Sequence, residues 1–87
     1  MGTNSAAPGD LKGLLGQRIK VLRLERGYSQ EQFANRCGLD RTYVASIERG
    51  RRNATINTIG RIAKGLDMPV AELFNTPEFW LHGNDGS

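Results

Sequence analysis

Between Leu11 and Phe74 apolar residues recur at intervals of three and four, and no stretch alternates as a strand would. Leu15, Ile19 and Leu22 form the inner stripe of a first helix, which Gly27 can end in the left-handed conformation. Val21 and Leu24 fall off that stripe and are expected either exposed or under the N-terminal arm. Ser29 with Gln32 three residues on forms a capping box, each side chain satisfying a backbone amide of the other end. It opens a short second helix with Phe33, Ala34 and Cys37 inward and Gly38 at its end. Asp40 is the candidate cap of a third helix, in which Val44 and Ile47 face inward and Gly50 terminates. Thr55 caps a fourth, with Ile56, Ile59, Ile62, Ala63 and Leu66 on one side, and Pro69 starts a fifth carrying Val70, Leu73 and Phe74. Thr76-Pro77-Glu78 repeats a cap-like start before Phe79, Trp80 and Leu81.

This pattern predicts an all-α protein, five helices around one core over residues 11–75. Residues 1–10, small, polar and broken by Pro8 and Gly9, read as a disordered arm; 76–82 is an apolar C-terminal extension and 83–87 a disordered tail. A chain of 87 residues supports a single modest core, and no internal repeat is present. Only Gly38, Leu39 and Asp40 separate the second and third helices, which forces the sharp angle of a helix-turn-helix instead of an antiparallel hairpin. Small Ala34 suits the close approach of the two backbones, with Leu39, Val44 and Ile47 beneath.

Charge sharpens this picture. The formal net charge is +3 and the pI about 9.5, which favours anionic partners, and location matters more than the sum. Arg41, Arg49, Arg51 and Arg52 all fall within "GLDRTYVASIERGRRN", from Gly38 to Asn53. With Val44 and Ile47 inward, the outer side of the third helix carries Arg41, Thr42, Ala45, Ser46 and Arg49. Such a face suits a major groove, where Arg bonds guanine O6 and N7 bidentately and the methyls of Thr42 and Ala45 meet thymine. The bland alternative is a solvated charged face, but Arg41 stands at a helix start, where the macrodipole gives a cation no help.

Other chemistries lack their parts. Cys37 is alone, so no intramolecular disulfide or zinc cluster can form, and no metal or cofactor is expected. His82 is the only histidine, Ser29 and Ser46 serve as cap and contact, and no motif fixes two carboxylates, so the chain is not expected to be an enzyme. "GLLG" at Gly13–Gly16 has the form of a KH clamp but opens a helix and lacks the surrounding strands. No apolar run nears the roughly 18 residues of a membrane span, and no secretory leader is visible, so the expected location is cytoplasmic.

From Leu15 to Phe74, and most diagnostically in "RGYSQEQFA" and "RTYVASIERGRRN", the chain resembles the Xre-type, lambda repressor-like helix-turn-helix regulators, and within them the controllers of restriction-modification systems. The resemblance implies a homodimer that binds double-stranded DNA in the major groove at a two-fold symmetric operator and regulates transcription, with RNA polymerase as a further partner. A phage or plasmid repressor, or an antitoxin or other protein-binding module of the same fold, is the alternative. Residue by residue, it implies that Gln30 bonds a phosphate and braces the third helix, and that Arg41 and Thr42, with Ser46 beside them, read bases. Arg49, Arg51, Arg52 and Asn53 contact the DNA backbone, Arg52 also reaching a base edge, while Tyr43 either reaches a phosphate or sugar or packs against the second helix. Arg23 and Glu48 form an internal salt bridge. Met68, Val70, Phe74, Phe79 and Trp80 are candidates for the dimer contact, although Phe79 and Trp80 could equally fold back over the protein's own core. Ala45 and Ser46 depart from the restriction controllers on the reading face, so no operator sequence carries over.

Overall fold

The structure, a computed structural model, describes residues 10–79. Its helices are α1 (Leu11–Glu25), α2 (Gln30–Cys37), α3 (Arg41–Glu48), α4 (Ile56–Gly65) and α5 (Val70–Leu73), and residues 77–79 make one further helical turn. No strand occurs among the described residues. Expectations for the arm before Asp10, for Trp80 to His82 and for the tail lie outside them.

Local chemistry sets most boundaries. The Asp10 carboxylate accepts from Gly13 N at 3.3 Å and so caps α1 as part of the folded domain. Ser29 Oγ accepts from Gln32 N at 3.0 Å while Gln32 Oε1 accepts from Ser29 N at 2.8 Å, completing the capping box of α2. Gly38, at φ 68°, makes the left-handed turn between α2 and α3, which costs a residue with a Cβ far more. Thr55 Oγ1 accepts from Thr58 N at 3.1 Å at the start of α4.

Two expectations need correction. Asp40 occupies the cap position of α3, but its side chain makes no cap hydrogen bond. Ile56 is 74% exposed, because the first turn of α4 projects past the core and only the stripe from Ile59 onward meets it.

The core is built from Ile19, Phe33, Val44, Ile47, Ile62, Leu66 and Leu73, each almost fully buried. Within it α3 packs against both α1 and α2, and α4 against α2 and α5. Gly16 lets α1 meet the end of α3: a Cβ there would run into the carbonyl oxygens of Ile47 and Glu48. At the α2–α4 crossing a Cβ on Gly65 would stand 2.5 Å from Cys37 Sγ. Burial pushes the Cys37 thiol up to about 11, against a smaller downward pull from the Arg36 charge.

Arginines stitch the helix ends together. Arg36 Nε donates to Gly65 O (2.9 Å) and Arg26 Nε to Leu66 O (3.0 Å), both at the C-terminus of α4. Arg61 Nη1 donates to Gly38 O (3.0 Å), and Arg18 bonds Leu73 O (3.1 Å) and Glu72 O (2.9 Å). Each guanidinium thus satisfies carbonyls that a helix leaves unpaired at its negative end. None of these four belongs to α3.

Candidate nucleic-acid interface

Because α3 is wedged between α1 and α2, its buried arc is wide: Val44, Ala45, Ile47 and Glu48 all face inward. What remains outward is narrower than a helical wheel with one inner face suggests. Arg41, Thr42 and Arg49 are exposed and Ser46 is half-buried. Ala45 departs from expectation, being 5% exposed and spent on packing, so its methyl is not presented beside Thr42.

Glu48 anchors this face from beneath. Its carboxylate accepts from Arg23 Nε at 2.7 Å and Nη2 at 3.0 Å, with both side chains buried, and the remaining Arg23 nitrogen donates to Tyr28 O at 2.8 Å. Such a pair is tolerable inside only with its lone pairs and protons satisfied, as these are. Gln30 Nε2 donates to Glu48 Oε1 at 3.1 Å, which turns the amide oxygen outward, and Arg41 Nη1 approaches that oxygen at 3.4 Å. A continuous path of polar contacts thus joins the buried pair to the first residue of α3. At 3.4 Å the last link is longer than a good hydrogen bond and leaves the guanidinium able to swing toward a ligand.

Tyr43 lies half-buried against the core, and its hydroxyl donates to Thr58 Oγ1 at 3.4 Å, so it spans from α3 to α4. Over its ring, 5.3 Å from the centroid, lies the Arg52 guanidinium. Tyr43 therefore serves as a platform for the loop after α3, where Arg51, Arg52 and Asn53 are all exposed. Among the described residues Arg49 and Arg51 make no side-chain hydrogen bond.

The arginines accordingly form two populations. Arg18, Arg23, Arg26, Arg36 and Arg61 bond helix-end carbonyls or Glu48, whereas Arg41, whose one internal bond is the long contact to Gln30, gathers with Arg49, Arg51 and Arg52 on α3 and the loop behind it. No group of three or more metal-ligating side chains occurs among the described residues. No described helix is long and apolar enough to cross a membrane.

A helix-turn-helix family model matches residues 19–73, well over half of the chain. The chain belongs to the Xre-type helix-turn-helix family. This helix-turn-helix chain is 43% identical to control protein C.MunI of Mycoplasma sp over 70 residues, 79% of the chain and 95% of the relative. It is 38% identical over 69 residues to a hypothetical transcription factor of Neisseria meningitidis, of whose length it spans 65%. Among solved structures it superposes, at a TM-score of 0.70 and 42% identity, on the restriction-modification controller protein C.Esp1396I, crystallised as a tetramer with its natural 35-base-pair operator. That match covers 74% of this chain and 84% of the controller.

The family frame leaves the dimer candidates divided. Val70 is 39% exposed at the start of α5 and Met68 is half-buried before it. Met68, Phe74 and Phe79 all pack against the protein's own core, and the two phenylalanines also meet edge to face at 5.1 Å, which is the fold-back arrangement. Trp80 lies outside the described residues. Gly16, the four stitching arginines and the Tyr43–Thr58 link went unread in the sequence. A glycine one position after the inner Leu15 was the only local signal for any of them.

Proposed function

We propose that the chain is a sequence-specific double-stranded-DNA-binding transcriptional regulator of the restriction-modification controller type, acting as a homodimer on a two-fold symmetric operator. The observation that carries this reading is the separation of its arginines: those elsewhere are consumed by helix-end carbonyls and by Glu48, while Arg41, Arg49, Arg51 and Arg52 remain together on one exposed surface. On this reading α3 enters the major groove. Arg41, Thr42 and Ser46 reach base edges, and Arg49, Arg51, Arg52 and Asn53 bond phosphates on either side. Gln30 holds Arg41 and can bond a phosphate, and Tyr43 acts by carrying Arg52. Two copies related by a dyad would set their α3 helices about 34–36 Å apart, one turn of B-DNA. Met68 and Val70 are the candidates for that contact.

The mechanism is occupancy. A dimer over a promoter excludes RNA polymerase or touches it, and the position of the site decides which. The protein would be cytoplasmic and on the nucleoid when bound.

In-vitro selection on random duplex DNA at two salt concentrations tests this. Enrichment of a two-fold symmetric site with half-sites about one helical turn apart is the expected result. Binding without sequence enrichment that vanishes with salt would make the basic face a general anion surface, and the protein-binding alternative would then lead.

A further inference from the structure

The cations on α3 and its loop are all arginines, but the chain also has three lysines, Lys12, Lys20 and Lys64. All three are exposed, and none makes a side-chain hydrogen bond or ion pair among the described residues. The fold puts them in different places. Lys64 stands in the last turn of α4, beside Gly65, whose carbonyl takes the Arg36 guanidinium, and Lys20 lies about two turns along α1 from Lys12. Lys12 belongs to the first turn of α1, where the loop after α3 comes to rest.

Two contacts pin that loop. Gly50, left-handed at φ 73° where α3 ends, lies so close to α1 that a Cβ on it would stand 2.9 Å from Gly13 Cα and 3.7 Å from Lys12 O. This approach is backbone on backbone, so the loop and the first turn of α1 keep a fixed spacing. Three residues after Gly50, Asn53 and Ala54 share an open hollow of about 190 Å³ with Leu11, Lys12 and Leu15. Arg51 and Arg52 lie between the two contacts, both exposed. The hollow is mainly apolar, and a lysine can lay its methylenes along such a wall while its ammonium stays in water. One carboxylate is near, that of Asp10, and it accepts from Gly13 N at 3.3 Å at the positive end of α1, which compensates its charge within the helix start.

We propose that Lys12 is a DNA-backbone contact: its ammonium bonds a phosphate next to those held by Arg51, Arg52 and Asn53, so that the first turn of α1 is part of the phosphate-binding surface. The inference rests on the proposed placing of α3 in the major groove. A compact point charge on a flexible stem suits a phosphate and lacks the planar fork that reads guanine. Lys12 therefore adds affinity on any sequence and leaves the preferred one unchanged.

The test titrates the full chain, across a salt series, against the duplex enriched by selection and a mixed-sequence duplex of equal length. Wild type is compared with Lys12→Gln, Lys12→Arg, Lys64→Gln and Arg51→Ala. Lys12→Gln should reduce the slope of log affinity against log salt by about 0.9 per protomer on both duplexes, at unchanged helical circular dichroism and unchanged sequence preference. Lys12→Arg should keep the wild-type slope, and so should Lys64→Gln. Ethylation interference on the enriched duplex should show one phosphate per half-site whose modification weakens wild type and Arg51→Ala but not Lys12→Gln. An unchanged slope in Lys12→Gln overturns the proposal. So does an equal fall in Lys64→Gln, which would make net charge and not position the cause. A slope lowered in Arg51→Ala alone removes Lys12 and keeps the loop, whereas slopes unmoved in both variants remove the loop as a phosphate surface as well.

Discussion

The Arg41 guanidinium lies 3.4 Å from Gln30 Oε1, and the Gln30 amide points that oxygen outward because its nitrogen donates to Glu48. The two ends of this path should fail differently. Arg41→Ala removes an exposed side chain that supports no core contact, so unfolding free energy should hardly change. Binding should lose about 1–3 kcal/mol of discrimination at one base pair per half-site, read from a panel of singly substituted operators. Equal loss on every sequence would contradict base reading. Glu48→Ala does the reverse, leaving the Arg23 charge buried and unpaired at a cost of about 3–5 kcal/mol in urea unfolding. Arg23→Ala should cost similarly and the double variant less than the sum, because neither charge is then stranded. Cys37 titrates without any ligand. Its folded value of about 11 lies above the ordinary 9.0, so folding favours the neutral thiol and this stabilisation is complete below about pH 9. It is lost as pH rises toward 11. The stability difference between wild type and Cys37→Ala should therefore shrink across that window, and a flat difference would remove desolvation as the cause.

Two glycines inside helices separate packing from propensity. A methyl on Gly16 meets the backbone carbonyls of Ile47 and Glu48, which cannot rotate away, so Gly16→Ala should lower stability by about 1–3 kcal/mol or more by forcing α1 off α3. Gly60, within α4, has nothing within 4 Å of an added Cβ, and Gly60→Ala should raise stability by about 0.5–1 kcal/mol through helix propensity alone. Urea midpoints at unchanged slope check both. The contrast also explains what could be read in the chain beforehand. Ser29 with Gln32, Gly38 and Thr55 act on neighbours three or four residues away, so their roles are written locally. Gly16 and Gly60 look alike in sequence and differ only in what another helix brings to them. Ala45 fails for the same reason: a wheel with one inner face leaves it outside, whereas α3 is gripped on two sides. Arg18 and Arg61 bond carbonyls 55 and 23 residues away, and no periodicity marks such a partner. Ile56 errs the other way, an apolar residue on the right stripe but one turn ahead of the core.

A net charge of +3 is too small to define a surface; its distribution does so. Arg23 and Arg36 are ion-paired with Glu48 and Asp67, whereas Arg41, Arg49, Arg51 and Arg52 place four positive charges together on α3 and the loop behind it. Neutralising a phosphate releases condensed counterions, so each such contact adds about 0.9 to the slope of log affinity against log salt. Arg51 stands in the loop behind α3, exposed and without an internal partner among the described residues. Arg51→Ala should weaken binding to specific and random duplexes alike and reduce the salt slope by about one unit per protomer, leaving the preferred sequence unchanged. Arg61→Ala is the matching control. Its guanidinium bonds Gly38 O at 3.0 Å, so its loss should lower stability slightly and leave the slope alone. Titration of both variants across a salt series reads the difference. An unchanged slope in Arg51→Ala would take that residue off the phosphate surface, and a reduced slope in Arg61→Ala would mean that the charged surface extends beyond α3 and its loop.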